Sequence, residues 1–198
     1  RKYHTADVNG SYFEVGEGSS WEQDFAYIAD HPEVRDVLLT GGDPLMYADD
    51  RLDAILSRLR EIPHVEIVRV GSRAPVVLPQ RITPELCEML ERHHPLWFNT
   101  HFNHPKEITA EAAEACDRLT RHGIVVQNQS VLLKGINDDL ETMHTLLSRL
   151  LEIRVRPYYL YHCDNAVGIS HFVTTLEAGL DLMEALKGYF TGFGVPEY

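Results

Sequence analysis

Val37-Leu38-Leu39-Thr40-Gly41-Gly42-Asp43-Pro44-Leu45 decides how the rest of the chain is read. An apolar run enters two adjacent glycines, then a carboxylate, a proline and an acidic helix start at Asp49-Asp50. A short apolar run bounded by Gly and Pro reads as a buried strand. Glycines at its C-terminal end carry no Cβ, so a ligand can approach the backbone there. In barrels built from strand–helix units, that end of the strand is where sites sit. Two glycines alone fit a tight turn equally well. Asp43 favours the site, because a carboxylate followed directly by proline sits at the mouth and ends the strand ladder.

Outward from this stretch, strands and helices alternate. Residues 5–19 read as a polar, Gly-rich loop, and Ser20 with Gln23 as a capping box. The helix behind that box has Trp21, Phe25 and Ile28 on one face. Residues 35–40 form the quoted strand, and Asp49 caps a helix whose Leu52, Ile55, Leu56 and Leu59 share a stripe. A strand from His64 to Val70 ends in Gly71-Ser72-Arg73, and Thr83-Pro84 starts the next helix. The second half repeats this order, with strands at 96–100, 124–126 and 155–161. Its helices open at Thr109, at Asn137 and at a Thr174/Glu177 capping box, and Gly123 closes the first of them. Five strand–helix pairs behind an orphan helix imply a parallel sheet or barrel in a single domain over residues 1–198.

Composition narrows the class. With 198 residues, 44% of them hydrophobic, the chain suffices for one sizeable core. A net charge of −12 argues against a nucleic-acid surface. No apolar run reaches a membrane span and no signal peptide is visible, so no membrane partner is expected. Cys87, Cys116 and Cys163 are odd in number and widely spaced, which fits reduced, cytoplasmic thiols rather than a disulfide framework. The chain opens on Arg1 and closes on an apparent new strand at 194–198, so both ends are expected to continue in a longer protein.

Polar residues gather where a barrel has its mouth. Asp43, Ser72 with Arg73, Asn99 to His101, Asn128 with Gln129, and Tyr161 to Asp164 each follow a different strand. Residues at the C-terminal ends of successive strands converge on one cavity.

The segments DVLLTGGDPL (36–45), IVRVGSRAPVVLPQRIT (67–83), LWFNTHFNHPKEIT (96–109), NQSVLLKGIND (128–138) and RVRPYYLYHCD (154–164) carry a family signature. In this order they resemble lysine 2,3-aminomutase, a family of the radical S-adenosylmethionine superfamily. The resemblance implies an α/β fold, a partial (βα)6 barrel truncated at both ends, with the first strand before residue 1. It also implies an isomerase converting L-lysine to L-β-lysine through a 5′-deoxyadenosyl radical and a pyridoxal phosphate imine. The cofactors implied are S-adenosylmethionine, a [4Fe–4S] cluster and pyridoxal 5′-phosphate. The cluster's CxxxCxxC motif and the pyridoxal phosphate lysine both fall outside these 198 residues, which are therefore expected to be inactive alone. No metal ligand is assigned within the chain. A small amino-acid substrate, a one-electron reductant and self-association are the implied partners.

The resemblance also assigns roles. Gly41, Gly42 and Asp43 match the motif that receives the methionine ammonium, a group with donors only. Ser72 and Arg73 join them on the cofactor side. His101 and Gln129 match positions near the adenosyl group or the methionine tail, with Asn128 supporting them. Arg1 matches the arginine that pairs with the substrate carboxylate, for which a guanidinium fork is suited. Tyr161 matches a tyrosine between the pyridoxal ring and adenosine, and Asp164 a carboxylate for the distal ammonium of lysine.

Each residue has a plainer reading. Ser72-Arg73 equally fits a turn with a surface ion pair. His101 and His104 lack a third ligand at metal spacing. Among Tyr158, Tyr159 and Tyr161, at least one is barrel packing. Asp43 with Lys134 or His101 would also suit an aldolase or hydrolase, Lys134 to Asn137 an anion site at a helix start, and the whole chain a non-catalytic binding module. His162 and Val173 depart from the family pattern near the substrate end, which leaves glutamate and arginine open beside lysine.

Overall fold

The quoted apolar run becomes the first strand of a parallel sheet. The structure, a computed structural model, describes residues 21–198 and, before them, only the backbone of β1 (Tyr3–Ala6) and β2 (Tyr12–Val15). Then follow α1 (Trp21–Asp30), β3 (Asp36–Leu39), α2 (Asp49–Arg60), β4 (Ile67–Gly71), α3 (Ala74–Val77) and α4 (Pro84–Glu91). The chain continues through β5 (Leu96–Thr100), α5 (Ala110–Arg121), β6 (Val125–Leu132), α6 (Leu140–Glu152), β7 (Arg156–His162) and α7 (Leu176–Tyr189). Arg1 and the Ser20 half of the first capping box lie outside the described residues.

Strands β3 to β7 pair in sequence order, all parallel. Each parallel pairing demands a crossover, and the helices supply it on one face of the sheet. The result is a partial α/β barrel. Val68, Val70, Leu96 and Phe98 are buried on the helix side against Leu56, Leu86, Leu90 and Leu119. Each such side chain contributes roughly 1.5–3 kcal/mol by leaving water. On the opposite, inner face Ile67 and Val125 stay exposed. Beyond β7, Glu197 bonds to Tyr158 and Leu160 through its backbone, a single parallel bridge where the sequence suggests a strand beginning.

The segment read as a loop at 5–19 contains the antiparallel pair β1–β2. Tyr3, Thr5, Tyr12, Phe13 and Val15 are strand formers, a signal the neighbouring glycines masked. Several helix starts also move. Thr83 and Thr109 accept from the N–H of Leu86 and Ala112, as their sequence positions suggest. Asp49, by contrast, is the first residue of α2 and pairs with Arg81, while Ala48 occupies the cap without a side-chain bond. Asp139 rather than Asn137 caps α6, and Thr175 rather than Thr174 caps α7. For α6 and α7 a competing acceptor stood two residues and one residue away, which helical periodicity cannot separate.

Strand β6 runs six residues past its sequence-read end at Val126, so Gln127, Asn128 and Gln129 lie within it rather than after it. Register places Asn99 beside Gln127 and Thr100 beside Asn128, with an irregularity between Asn128 and Gln129.

Candidate functional site

The loop after β3 is built by its glycines. Gly41 and Gly42 have φ of 88° and 58°, the left-handed region that strains any residue with a Cβ. A Cβ added at Gly42 would meet nothing within 4 Å, so the space in front of that backbone is open. Asp43 then closes the turn. Its Oδ1 accepts from the N–H of Leu45 at 3.0 Å and from the hydroxyl of Ser72 at 2.7 Å. Its Oδ2 accepts from the N–H of Arg73 at 2.9 Å. The carboxylate is thus occupied by three protein donors, which suits a positioned acceptor better than the acid–base partner of a hydrolase.

Ser72 and Arg73 are turn and ion pair at once. Ser72 Oγ also accepts from the N–H of Ala74 at 3.0 Å, and Arg73 reaches Glu107 at 3.0 Å. Glu107 in turn accepts from the backbone N–H groups of Asn103 and His104, closing a capping box with His104. His104 is thereby a turn cap. Asn103 continues the lacing, since its Oδ1 accepts from the N–H of Val131 at 2.8 Å. Asn137, fully buried, accepts from the N–H of Leu133 at 2.7 Å and donates to the carbonyls of Asn103 and Val131 at 2.8 and 2.9 Å. The four loops after β3, β4, β5 and β6 therefore form one hydrogen-bonded rim. Asn137→Ala should cost about 3 kcal/mol, because it strands three buried backbone groups. An unfolding free energy from urea titration lowered by less than about 1 kcal/mol would show that water takes over those bonds.

The inner face of the rim presents unsatisfied polar atoms. Oδ1 of Asn99, a residue only 3% exposed, and Nε2 of His101 are buried without a hydrogen-bond partner. Buried polar groups are ordinarily paired, so such atoms point to a ligand. Burial pushes the imidazole of His101 below its usual range, and the nearby Arg73 cation adds to this. His101 is accordingly a neutral hydrogen-bonding group. Alternation along β6 puts Gln127 and Gln129 on this face beside Asn99. Asn128 lies on the other face, where it accepts from the N–H of Phe102 at 2.7 Å and donates to the carbonyl of Phe102 and to Ser130. Its contact with the site is indirect, through the loop that carries His101.

Tyr158, Tyr159 and Tyr161 form a ladder at the end of β7, with ring centroids 3.9 and 5.4 Å apart. Tyr161 is the outermost, 45% exposed, and partial burial raises its phenol pKa. Asp164 is exposed on the following loop, and its carboxylate has no hydrogen-bond or ion-pair partner among the described residues. Cys163 beside it is buried, with Sγ 3.6 Å from the Asp164 carbonyl. Burial raises the thiols of Cys87 and Cys116 to about 11 and about 12, so both are inert at neutral pH. Lys134 is exposed in a loop and not at a helix start, which removes the anion site suggested for 134–137. Among the described residues no group of three or more His, Cys, Asp or Glu is placed to hold a metal ion. No helix among them is long and apolar enough to cross a membrane. A groove of about 330 Å³ between α6 and α7, lined by Leu140, Glu141, His144, Thr145, Leu186 and Tyr189, includes none of these rim residues.

No family model matches the chain. Curated relatives do. The chain is 55% identical over 172 residues, 87% of its length, to the L-lysine 2,3-aminomutase of Fusobacterium nucleatum, covering 40% of that protein. It is 50% identical over 177 residues, 89% of its length, to the glutamate 2,3-aminomutase of Clostridioides difficile, covering 42% of that protein. Over most of its length the chain is thus similar to curated amino-acid 2,3-aminomutases. It spans about two fifths of the length of the relatives it matches. Among solved structures, SuiB of Streptococcus suis, determined bound to S-adenosylmethionine, superposes with a TM-score of 0.66 at 15% identity. That match covers 91% of this chain and 42% of SuiB, and it is a likeness of fold alone.

Four rim residues emerge to which the resemblance assigned no role. Glu107 follows His104 at the spacing of a capping box, a pattern visible in the sequence itself. Gln127 follows from alternation once β6 is given its full length. Asn103 carries no local signal, because Val131 lies on another strand, and Asn137, which reads locally as a helix cap, reaches Asn103 across 34 residues.

Proposed function

We propose that the full-length protein is an amino-acid 2,3-aminomutase, acting on L-lysine with S-adenosylmethionine, a [4Fe–4S] cluster and pyridoxal 5′-phosphate. The observation that carries this reading is the 55% identity to an L-lysine 2,3-aminomutase, since the fold by itself hosts many chemistries. The residues present fit S-adenosylmethionine. An open backbone at Gly42, oriented acceptors and two orphaned polar atoms suit a ligand rich in donors and acceptors.

When bound, these cofactors supply hydrogen abstraction and hold the migrating nitrogen. The chain's own residues bind, orient and exclude water. Gly41, Gly42 and Asp43 receive the methionine ammonium, with Ser72 and Arg73 fixing Asp43. His101 and Gln129 face the adenosyl side, and Asn128 holds the His101 loop. Tyr161 separates the two cofactors, Asp164 takes the distal ammonium, and Arg1 pairs with the substrate carboxylate. The free carboxylate of Asp164 favours lysine over glutamate, whose second carboxylate it would repel. Three unpaired cysteines fit the cytoplasm, where a one-electron reductant is at hand.

The test is turnover by the full-length protein loaded with all three cofactors and reduced by dithionite, offered L-lysine, L-glutamate and L-arginine separately. β-Lysine is the expected product. β-Glutamate in its place would move the substrate within the family, and no product from any of the three would remove the aminomutase reading.

A further inference from the structure

We propose that Glu107 is a positioning residue that neutralises Arg73 and fixes it beside His101, so that the mouth accepts a cationic nucleoside; this rests on the aminomutase reading above. The carboxylate does more than cap a turn. One oxygen suffices for the backbone N–H groups of Asn103 and His104, and the other accepts from Nη2 of Arg73 at 3.0 Å. Arg73 is held from its other end too, since its backbone N–H goes to Asp43 at 2.9 Å. One residue is thus gripped by the loop after β3 and by the loop after β5.

The pair is half-exposed, with side-chain accessibilities of 46% and 26%, and such pairs add little to stability. Its effect is on where charge sits. His101, whose Nε2 is orphaned, feels both members, the Arg73 cation lowering its proton affinity and the Glu107 anion raising it. S-adenosylmethionine carries a sulfonium and an ammonium against one carboxylate, a net charge of +1 that an uncompensated guanidinium at this rim would repel, whereas S-adenosylhomocysteine is neutral overall. Glu107 cancels that charge while holding the guanidinium in place.

The experiment compares S-adenosylmethionine with S-adenosylhomocysteine, which has a neutral thioether in place of the sulfonium. Calorimetric titration uses the full-length protein and its Glu107→Gln variant, whose amide oxygen still accepts from the Asn103 and His104 amides. The variant should bind S-adenosylmethionine about tenfold or more weakly and S-adenosylhomocysteine less than about threefold so. Adding Arg73→Met to Glu107→Gln should restore much of the loss, because the uncompensated cation is gone. His101, followed by NMR, should titrate at lower pH in the single variant than in the wild type. Equal weakening toward both nucleosides, or none toward either, would overturn the proposal. If the wild type binds neither nucleoside, the aminomutase reading fails instead, and an unshifted His101 titration then refutes the positioning role by itself.

Discussion

Gly42→Val in the full-length protein should abolish S-adenosylmethionine binding, by about 100-fold or more, while leaving cluster content and fold intact. Gly42 has φ of 58°, and a Cβ there would meet no protein atom within 4 Å. The cost within the chain is therefore backbone strain alone, about 1–2 kcal/mol for a left-handed residue with a side chain. Strain of that size lowers stability without removing the loop, which Asp43 still anchors to Leu45, Ser72 and Arg73. The valine methyl groups would instead occupy the open space that the proposed methionine tail enters. A 100-fold loss corresponds to about 2.7 kcal/mol, a modest demand for a steric overlap. Affinity unchanged from the wild type would mean that Gly42 serves only the turn.

Asp164→Ala tests the substrate. Its carboxylate lies two residues past the end of β7, exposed and without a partner among the described residues. A lysine ammonium docked there would lose water and need that charge in exchange. Breaking a buried ion pair costs roughly 3–5 kcal/mol, and a rim position falls at the lower end of this range. Turnover of L-lysine should drop by about 100-fold, with S-adenosylmethionine affinity unaffected. Normal lysine turnover by the variant, or a wild-type preference for glutamate, would show that Asp164 does not read the side chain. The site would then keep its reaction type and lose its substrate assignment.

The glycine turn was legible before any fold was known, and the reason is local. Gly41-Gly42-Asp43 is a contiguous signal, because a left-handed turn at a strand end is written in adjacent residues. The same holds for β3 to β7, the helix stripes such as Leu52, Ile55, Leu56 and Leu59, and the caps at Thr83 and Thr109. Hydrophobic period and capping chemistry act over a few residues, so sequence alone determined the order of elements from α1 onward and the end of the sheet at which polar residues cluster.

Which polar residues face the ligand was a tertiary matter. Asn128 and Gln129 look equivalent in sequence, yet the full length of β6 and its register against β5 turn Asn128 to the helix side and bring Gln127 next to Asn99. Asn137 resembles a helix cap, yet it joins the loops after β5 and β6 from within the core. Ser72 meets Asp43 across 29 residues, and Arg73 meets Glu107 across 34. Those partners are matched by strand register and loop length, and a hydrogen bond closes only where both ends are held within about 3 Å. The sequence by itself determined the barrel and its glycine loop; only the packed sheet decided which side chains lace its rim, because separations of this size are set by neighbouring strands and not by neighbouring residues.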